Sequence, residues 1–287
     1  MKRSEPAVQR TIVVDGVTLH LAHPDEIDME WVGREELRRQ VLAAWIKVAD
    51  DDLPLHPRLV GKPGVGKTTL AYSAARKLGR EVYLFQATMD TRPEDLLVTP
   101  VVDEGGRIKY VASSLLTAVL RGGVCIVDEG NRMSEKSWAS LAPLLDARRY
   151  VESIIAGVKV HAHSEFRFCA TMNDDASTYD LPEYIHSRLQ PQIVIDFPEA
   201  DEERAILRAN LPFATDEVLQ YVLAFLQAAH GADERYTVRD GINIARYAIK
   251  LGRASSEKLN GGTAGEWEAR VEQSVRMILG EDATRYL

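Results

Sequence analysis

From Arg58 to Pro198, short apolar and β-branched runs alternate with stretches whose apolar positions recur at helical spacing. The runs are Arg58–Val60, Val82–Gln86, Val124–Asp128, Phe166–Thr171 and Gln192–Phe197. Alternation of this kind predicts a parallel sheet with helices on both faces. The first run is short and follows Pro57, and its support comes from the glycine-rich loop and helix behind it. After Pro198 the strands stop, and residues 199–211, 215–230, 238–252 and 265–279 read as helices. The segment Leu259–Gly265 reads as a loop. Near the start, two β-prone runs within residues 11–22 flank Asp15–Gly16, the pair favoured in a tight type I′ turn. They predict a hairpin, read as an edge ornament of the main sheet. Leu37, Val41, Ala44, Trp45 and Val48 keep the 3.6-residue period, so a helix is expected from Val32–Gly33 to about Val48. Three parts follow: a hairpin extension and linker over 1–29, an α/β part over 30–198, and an all-helical part over 199–287.

The chain has 287 residues, 45% hydrophobic and 27% charged, which excludes a mainly disordered or fibrous protein. Lys and Arg number 35 against 43 Asp and Glu, leaving a net charge of −8. A nucleic-acid binder that relies on displacing counterions needs the opposite sign, so that class is disfavoured. Cys125 and Cys169 each sit inside an apolar run, which suits buried thiols of a reducing compartment. Met1–Pro6 is charged and polar without the apolar core of a signal peptide. No apolar run approaches the ~20 residues that span a bilayer. The expectation is a soluble cytoplasmic protein without a membrane span. His161 and His163 lie two apart, but no nearby Cys or His completes a metal site. Trp31, Trp45, Trp138 and Trp267 are scattered, as core or interface residues are.

Gly61-Lys-Pro63-Gly64-Val65-Gly66-Lys67-Thr68 fits the phosphate-loop pattern G-x-x-x-x-G-K-[ST], with a β run before it and a helical stretch from Thr69 after it. Its glycines let backbone N–H groups turn inward around phosphate oxygens, and the following helix adds its positive N-terminal end. Lys67 is then expected on the β- and γ-phosphates of ATP, and Thr68 on Mg2+. Val124–Asp128 is an apolar run that ends in two carboxylates, Asp128 and Glu129, about sixty residues further on. A phosphate-loop ATPase needs acids at that place: Asp128 for Mg2+, directly or through water, and Glu129 to polarise the attacking water.

Together these two motifs resemble those of an AAA+ ATPase, a P-loop α/β core with a small helical lid. Asp128-Glu-Gly-Asn-Arg132 resembles the Asp-Glu-x-Asn-Arg stretch of the MoxR branch. Arg92–Leu96 through Val111 is similar to that branch's hairpin insertion in helix 2, and Arg148–Val151 through Val158–His161 to its hairpin before sensor 1. Ala170–Asn173 resembles sensor 1, Leu181–Leu189 the segment carrying the arginine finger, and Tyr236–Arg239 the sensor 2 position. The layout around Leu115–Gly123 and His163–Phe168 is most similar to compact activases of the CbbQ, NorQ and GvpN type. Two departures stand out. Gly130 replaces a frequent Ile, and the finger segment reads Ser-Arg-Leu where the branch usually has Asp-Arg-Phe.

The resemblance implies roles. Asn173 orients the attacking water or senses the γ-phosphate. Arg188 reaches the neighbouring subunit's nucleotide, and Arg239 contacts the γ-phosphate in its own chain, with Arg246 as rival. Val32 and Gly33 lie against the adenine, while Gly61, Pro63, Gly64, Val65, Gly66, Lys67, Thr68 and Thr69 hold the phosphates. Arg132, Arg148 and Arg149 are candidate subunit-interface charges. The same resemblance implies a ring, hexameric in the branch, acting on a protein client that carries a von Willebrand A-type domain. A nucleic-acid motor or loader, or a nucleotide-gated scaffold in a defence-type system, stands as the alternative.

Overall fold

Asp15 and Gly16 take φ of 48° and 81°. A two-residue hairpin turn of type I′ needs positive φ at both central positions. They join β1 (Thr11–Val14) to β2 (Val17–His20), paired antiparallel from Thr11↔His20 to Val14↔Val17. The computed structural model describes residues 10–28, 30–174, 181–232, 234–254 and 264–287. The charged start, Met1–Pro6, and most of the 259–265 loop lie outside the described residues. The chain forms two compact units: Met1–Glu30, Glu36–Gly61 and Lys67–Val194 in the first, and Trp31–Glu35, Lys62–Gly66 and Ile195–Leu287 in the second.

In the first unit the hairpin is followed by α1 (Glu35–Trp45), β3 (Arg58–Gly61), α2 (Lys67–Lys77) and β4 (Val82–Gln86). Then come β5 (Val98–Val102), β6 (Ile108–Ala112), α3 (Ser114–Arg121), β7 (Val124–Asp128) and α4 (Glu135–Leu141). β8 (Tyr150–Ser153), β9 (Val158–His161), β10 (Arg167–Asn173), α5 (Glu183–His186) and β11 (Gln192–Ile195) complete it. Among the described residues a five-stranded sheet runs in the order β11-β3-β10-β7-β4. Its registered pairs, β3–β10, β10–β7 and β7–β4, are parallel, as the alternation predicts. Every residue of β10 is buried, as are Val124–Val127 of β7. Val124–Val127 and Phe168–Ala170 read as apolar runs because helices cover both faces. Trp45 docks α1 on this sheet by donating from Nε1 to the Phe168 carbonyl at 3.0 Å. Cys125 and Cys169 are buried thiols, and burial pushes both well above the usual thiol range.

The hairpin does not ornament the main sheet. β2 pairs in parallel with β6, giving a second sheet of order β1-β2-β6-β5. The reason lies at the edge strand β4. There the backbone N–H of Asp25 donates to the Val82 carbonyl at 2.8 Å, and the Asp25 carboxylate accepts from the Leu84 N–H at 2.7 Å. That edge is thus covered by an irregular segment, a common way of protecting an exposed ladder. The expected helix end also moves. α1 stops at Trp45, and Val48 is exposed because its N–H is taken by Asp52 Oδ2 at 2.9 Å in a loop. The last run ends at Ile195 rather than Phe197, whereas β10 extends to Asn173, two residues beyond the expected Thr171.

The second unit holds α6 (Ala200–Asn210), α7 (Asp216–Gly231), α8 (Val238–Ala254) and α9 (Ala264–Leu279). Its core includes Leu207, Val222, Phe225, Leu226, Ile244 and Val271. Glu199 and Glu202 form a reciprocal capping box that starts α6. Among the described residues no helix is long and apolar enough to cross a membrane.

Candidate nucleotide site

Parallel neighbours bring three strand ends together. Asn173 ends β10 opposite Gly61, and Ala170 pairs with Val127, which sets Thr171 beside Asp128. The loop 62–66 then leads into α2. Gly64 and Gly66 take φ of 83° and 92°, a backbone that L side chains rarely adopt. A Cβ on Gly64 would also lie 2.7 Å from Thr237 Oγ1. The first turn of α2 carries no acidic residue, so its positive end stays available to an anion. Lys67 is buried, and its Nζ donates to the Gly61 carbonyl at 2.9 Å.

Asp128 is the centre of a polar network. Its Oδ1 accepts from Thr68 Oγ1 at 2.8 Å and, at closer range, from Thr171 Oγ1. The same Thr171 hydroxyl accepts the Glu129 backbone N–H at 3.1 Å. Glu129 has φ of 55°, an uncommon left-handed conformation for a non-glycine residue, and that bond helps to hold it there. Its Oε1 accepts from Asn173 Nδ2 at 3.4 Å, and its Oε2 lies 2.6 Å from Arg132 Nε. The second contact is an ion pair whose N–H is not aligned with the oxygen. Asn131 ties the two strand ends by donating to the Asn173 carbonyl at 2.7 Å and accepting its N–H at 3.3 Å.

Thr68, Asp128, Glu129 and Asn173 are therefore brought together. Arg188 keeps other company: Nη2 is 3.2 Å from Asp146 Oδ2, and Nη1 donates to the Tyr184 carbonyl at 2.6 Å. Arg148 hydrogen-bonds the same Asp146 and, ahead of Arg188, holds its carboxyl well below the usual range. Arg149 donates to the carbonyls of His163 and Phe166. Arg239 is exposed in the first turn of α8. Val32 is half-buried and Gly33 exposed. Sequence reasoning overlooked Thr171 and the bridging work of Asn131. The available signal was a hydroxyl two residues before Asn173, in a strand whose register with β7 no motif specifies.

The donor set suits Mg2+. A threonine hydroxyl and a carboxylate side by side are hard oxygen ligands, and this ion commonly takes one or two protein groups plus phosphate oxygens. Among the described residues no cluster of three His, Cys, Asp or Glu offers an all-protein cage.

A parallel sheet with a phosphate loop after one strand and an acidic pair at the end of the strand two places away defines a P-loop nucleotide-binding fold of the AAA+ class. Residues 58–189 match the family described as AAA domain (dynein-related subfamily). The chain is 29% identical over 154 residues to Protein MoxR of Paracoccus denitrificans, covering 53% of this chain and 44% of that one. It is 28% identical to Chaperone MoxR1 of Mycobacterium tuberculosis, covering 61% and 44% of the two chains. To von Willebrand factor A domain-containing protein 8 of Mus musculus it is 27% identical, over 68% of this chain and 11% of the other. The chain thus spans less than half the length of each of these relatives. A structure of Thermotoga maritima RuvB, described as a Holliday junction branch migration motor, superposes with a TM-score of 0.58 at 16% identity, covering 88% of this chain and 72% of that one. That likeness is one of fold. In these motifs and matches the chain is similar to the MoxR branch of the AAA+ ATPases.

Proposed function

We propose that the chain hydrolyses ATP with Mg2+ in a ring of identical subunits, and that the cycle remodels a protein partner in the cytoplasm. The observation that carries this reading is the network joining Thr68, Asp128, Thr171, Glu129 and Asn173. Hydrolysis needs a carboxylate placed as base beside a metal-holding acid, and here one threonine hydroxyl fixes both. In this reading the loop glycines, Val65 and Thr69 cradle phosphate, and Lys67 releases the Gly61 carbonyl to reach phosphate oxygens. Thr68 and Asp128 would hold Mg2+, which would supply charge neutralisation at the phosphates. Glu129 accepts the proton of the attacking water while Asn173 holds the carboxylate in place. Arg188 and Arg239 are assigned to the charge that develops in the transition state, Arg188 from one subunit to the next.

Two MoxR-named relatives, one of them called a chaperone, support the protein client. The mouse relative, whose name carries a von Willebrand factor A domain, supports a partner of that kind. The net charge of −8 also favours a protein over a nucleic acid. The test is ATP turnover and client capture by Glu129→Gln. This variant should bind ATP, barely hydrolyse it, and retain a partner from extract that Lys67→Ala does not retain. Turnover at the parent rate would remove Glu129 from the reaction. ATPase activity raised by DNA and falling steeply with salt would overturn the protein client.

A further inference from the structure

Trp31 has an unusual seat. An ideal Cβ on Gly33 would lie 3.1 Å from Trp31 Cζ2 and 3.4 Å from Cε2. One on Gly66 would lie 3.2 Å from Trp31 Cζ3. The indole therefore rests against two backbones that lack side chains, one of them the last glycine of the phosphate loop. The seat exists because neither residue has a side chain to fill it. It also leaves the indole poorly satisfied: Nε1 is buried without a hydrogen-bond partner among the described residues. A buried donor left unmade is a cost to the arrangement that buries it. The other tryptophans, Trp45, Trp138 and Trp267, are nearly fully buried, and Nε1 of both Trp45 and Trp138 donates to a carbonyl.

We infer that the indole of Trp31 and the purine base of ATP compete for one seat between Gly33 and Gly66. The inference rests on the nucleotide reading above and adds a residue that sets base affinity. An indole and a purine are fused rings of five and six members, so one slot fits either. The base has the advantage of carrying its own donors and acceptors on its edges. Trp31 lowers the apparent affinity by the fraction of time its ring is seated.

The test uses the full chain, with Mg-ATP and inorganic tripolyphosphate as ligands, by calorimetry. Trp31→Ala removes the competitor and should bind ATP more tightly, by about tenfold. Trp31→Phe keeps a ring without the unpaired N–H, so it seats more firmly and should bind ATP several-fold more weakly. Neither variant should change affinity for tripolyphosphate, which lacks a base. ATP should also shift the tryptophan emission of the parent to the red, and leave that of Trp31→Phe unmoved. Should Trp31→Ala fail to fold, the Phe variant and the emission shift decide alone. Weaker ATP binding by Trp31→Ala would make Trp31 a wall of the site and overturn the inference. So would equal ATP binding by all three proteins, or an equal change in tripolyphosphate affinity. If the parent binds neither ligand, the nucleotide reading falls first and the inference with it.

Discussion

The two ends of the five-stranded sheet bury polar groups in opposite ways. At the C-terminal ends, Asp128 and Glu129 offer carboxylate oxygens to hydroxyl and amide donors. At the N-terminal ends, β3 and β10 begin with buried arginines. Arg58 donates to the carbonyls of His186 and Leu189 and to Gln192 Oε1. Arg167 donates to the carbonyls of Trp45, Ser164 and Phe166. Beside them His56 is pushed down to about 3, first by burial and then by Arg149 and Arg167, so it stays neutral across the physiological range. The arginines hold backbone carbonyls and, for Arg58, the Gln192 side chain. At the acidic end Asp128 is held by hydroxyl donors that a metal ion or a water can displace, while Glu129 also pairs with Arg132. Burial alone therefore does not mark a site; what matters is whether the partner groups can be exchanged.

The largest effects should separate the two ends. Glu129→Gln should lower kcat by about 10²–10⁴, the usual range for a general base, while the melting temperature stays within error of the parent. A matching loss of stability would mean that the acidic end also holds the fold. Arg167→Met should do the reverse. Three carbonyls lose a charged donor, and the chain should lose about 3 kcal/mol in denaturant unfolding. The ATPase rate per folded molecule should not move. A drop in kcat at unchanged stability would break the comparison.

How much of this was legible follows the same division. The acidic end is written in local motifs, because a phosphate loop needs glycines at fixed places and Val124–Glu129 is continuous in sequence. The parallel sheet was legible for a similar reason: strands covered on both faces read as apolar runs. What depends on register between distant strands was not legible. Thr171 meets Asp128 only through the pairing of β10 with β7. Neither Asp25 on the edge of β4 nor the parallel pairing of β2 with β6 has a local signature. Nor does any cut of the sequence at one point describe units in which Trp31–Glu35 and Lys62–Gly66 group with the helices.

Thr171→Val tests that hidden contribution with a smaller effect. It keeps the shape of the side chain and deletes the hydroxyl shared by Asp128 and the Glu129 N–H. With Glu129 less firmly held in its left-handed conformation, kcat should fall about tenfold, a cost near 1.4 kcal/mol in the barrier. ATP affinity should change little. An unchanged kcat would show that Arg132 and Asn173 suffice to place the base.

The helical unit extends the comparison to a buried acid without exchangeable chemistry. Glu203 of α6 is fully buried. Gln227 donates to its Oε2, and its Oε1 lies 3.6 Å from His230 Nδ1. His230 Nε2 faces the Tyr236 carbonyl at 2.6 Å, so that nitrogen carries a proton. Burial pushes Glu203 up to about 7. A carboxyl raised in the fold gives stability that is complete below the unfolded value, near 4.3, and that is lost as pH rises through about 7. Glu203→Gln has nothing to deprotonate, so it should lose less stability than the parent between pH 5.5 and 8. The difference between the two proteins should change by about 2 kcal/mol across that interval, with ATPase activity at pH 7 unaltered. A constant difference in melting temperature at the two pH values would mean that Glu203 does not change its charge across this interval.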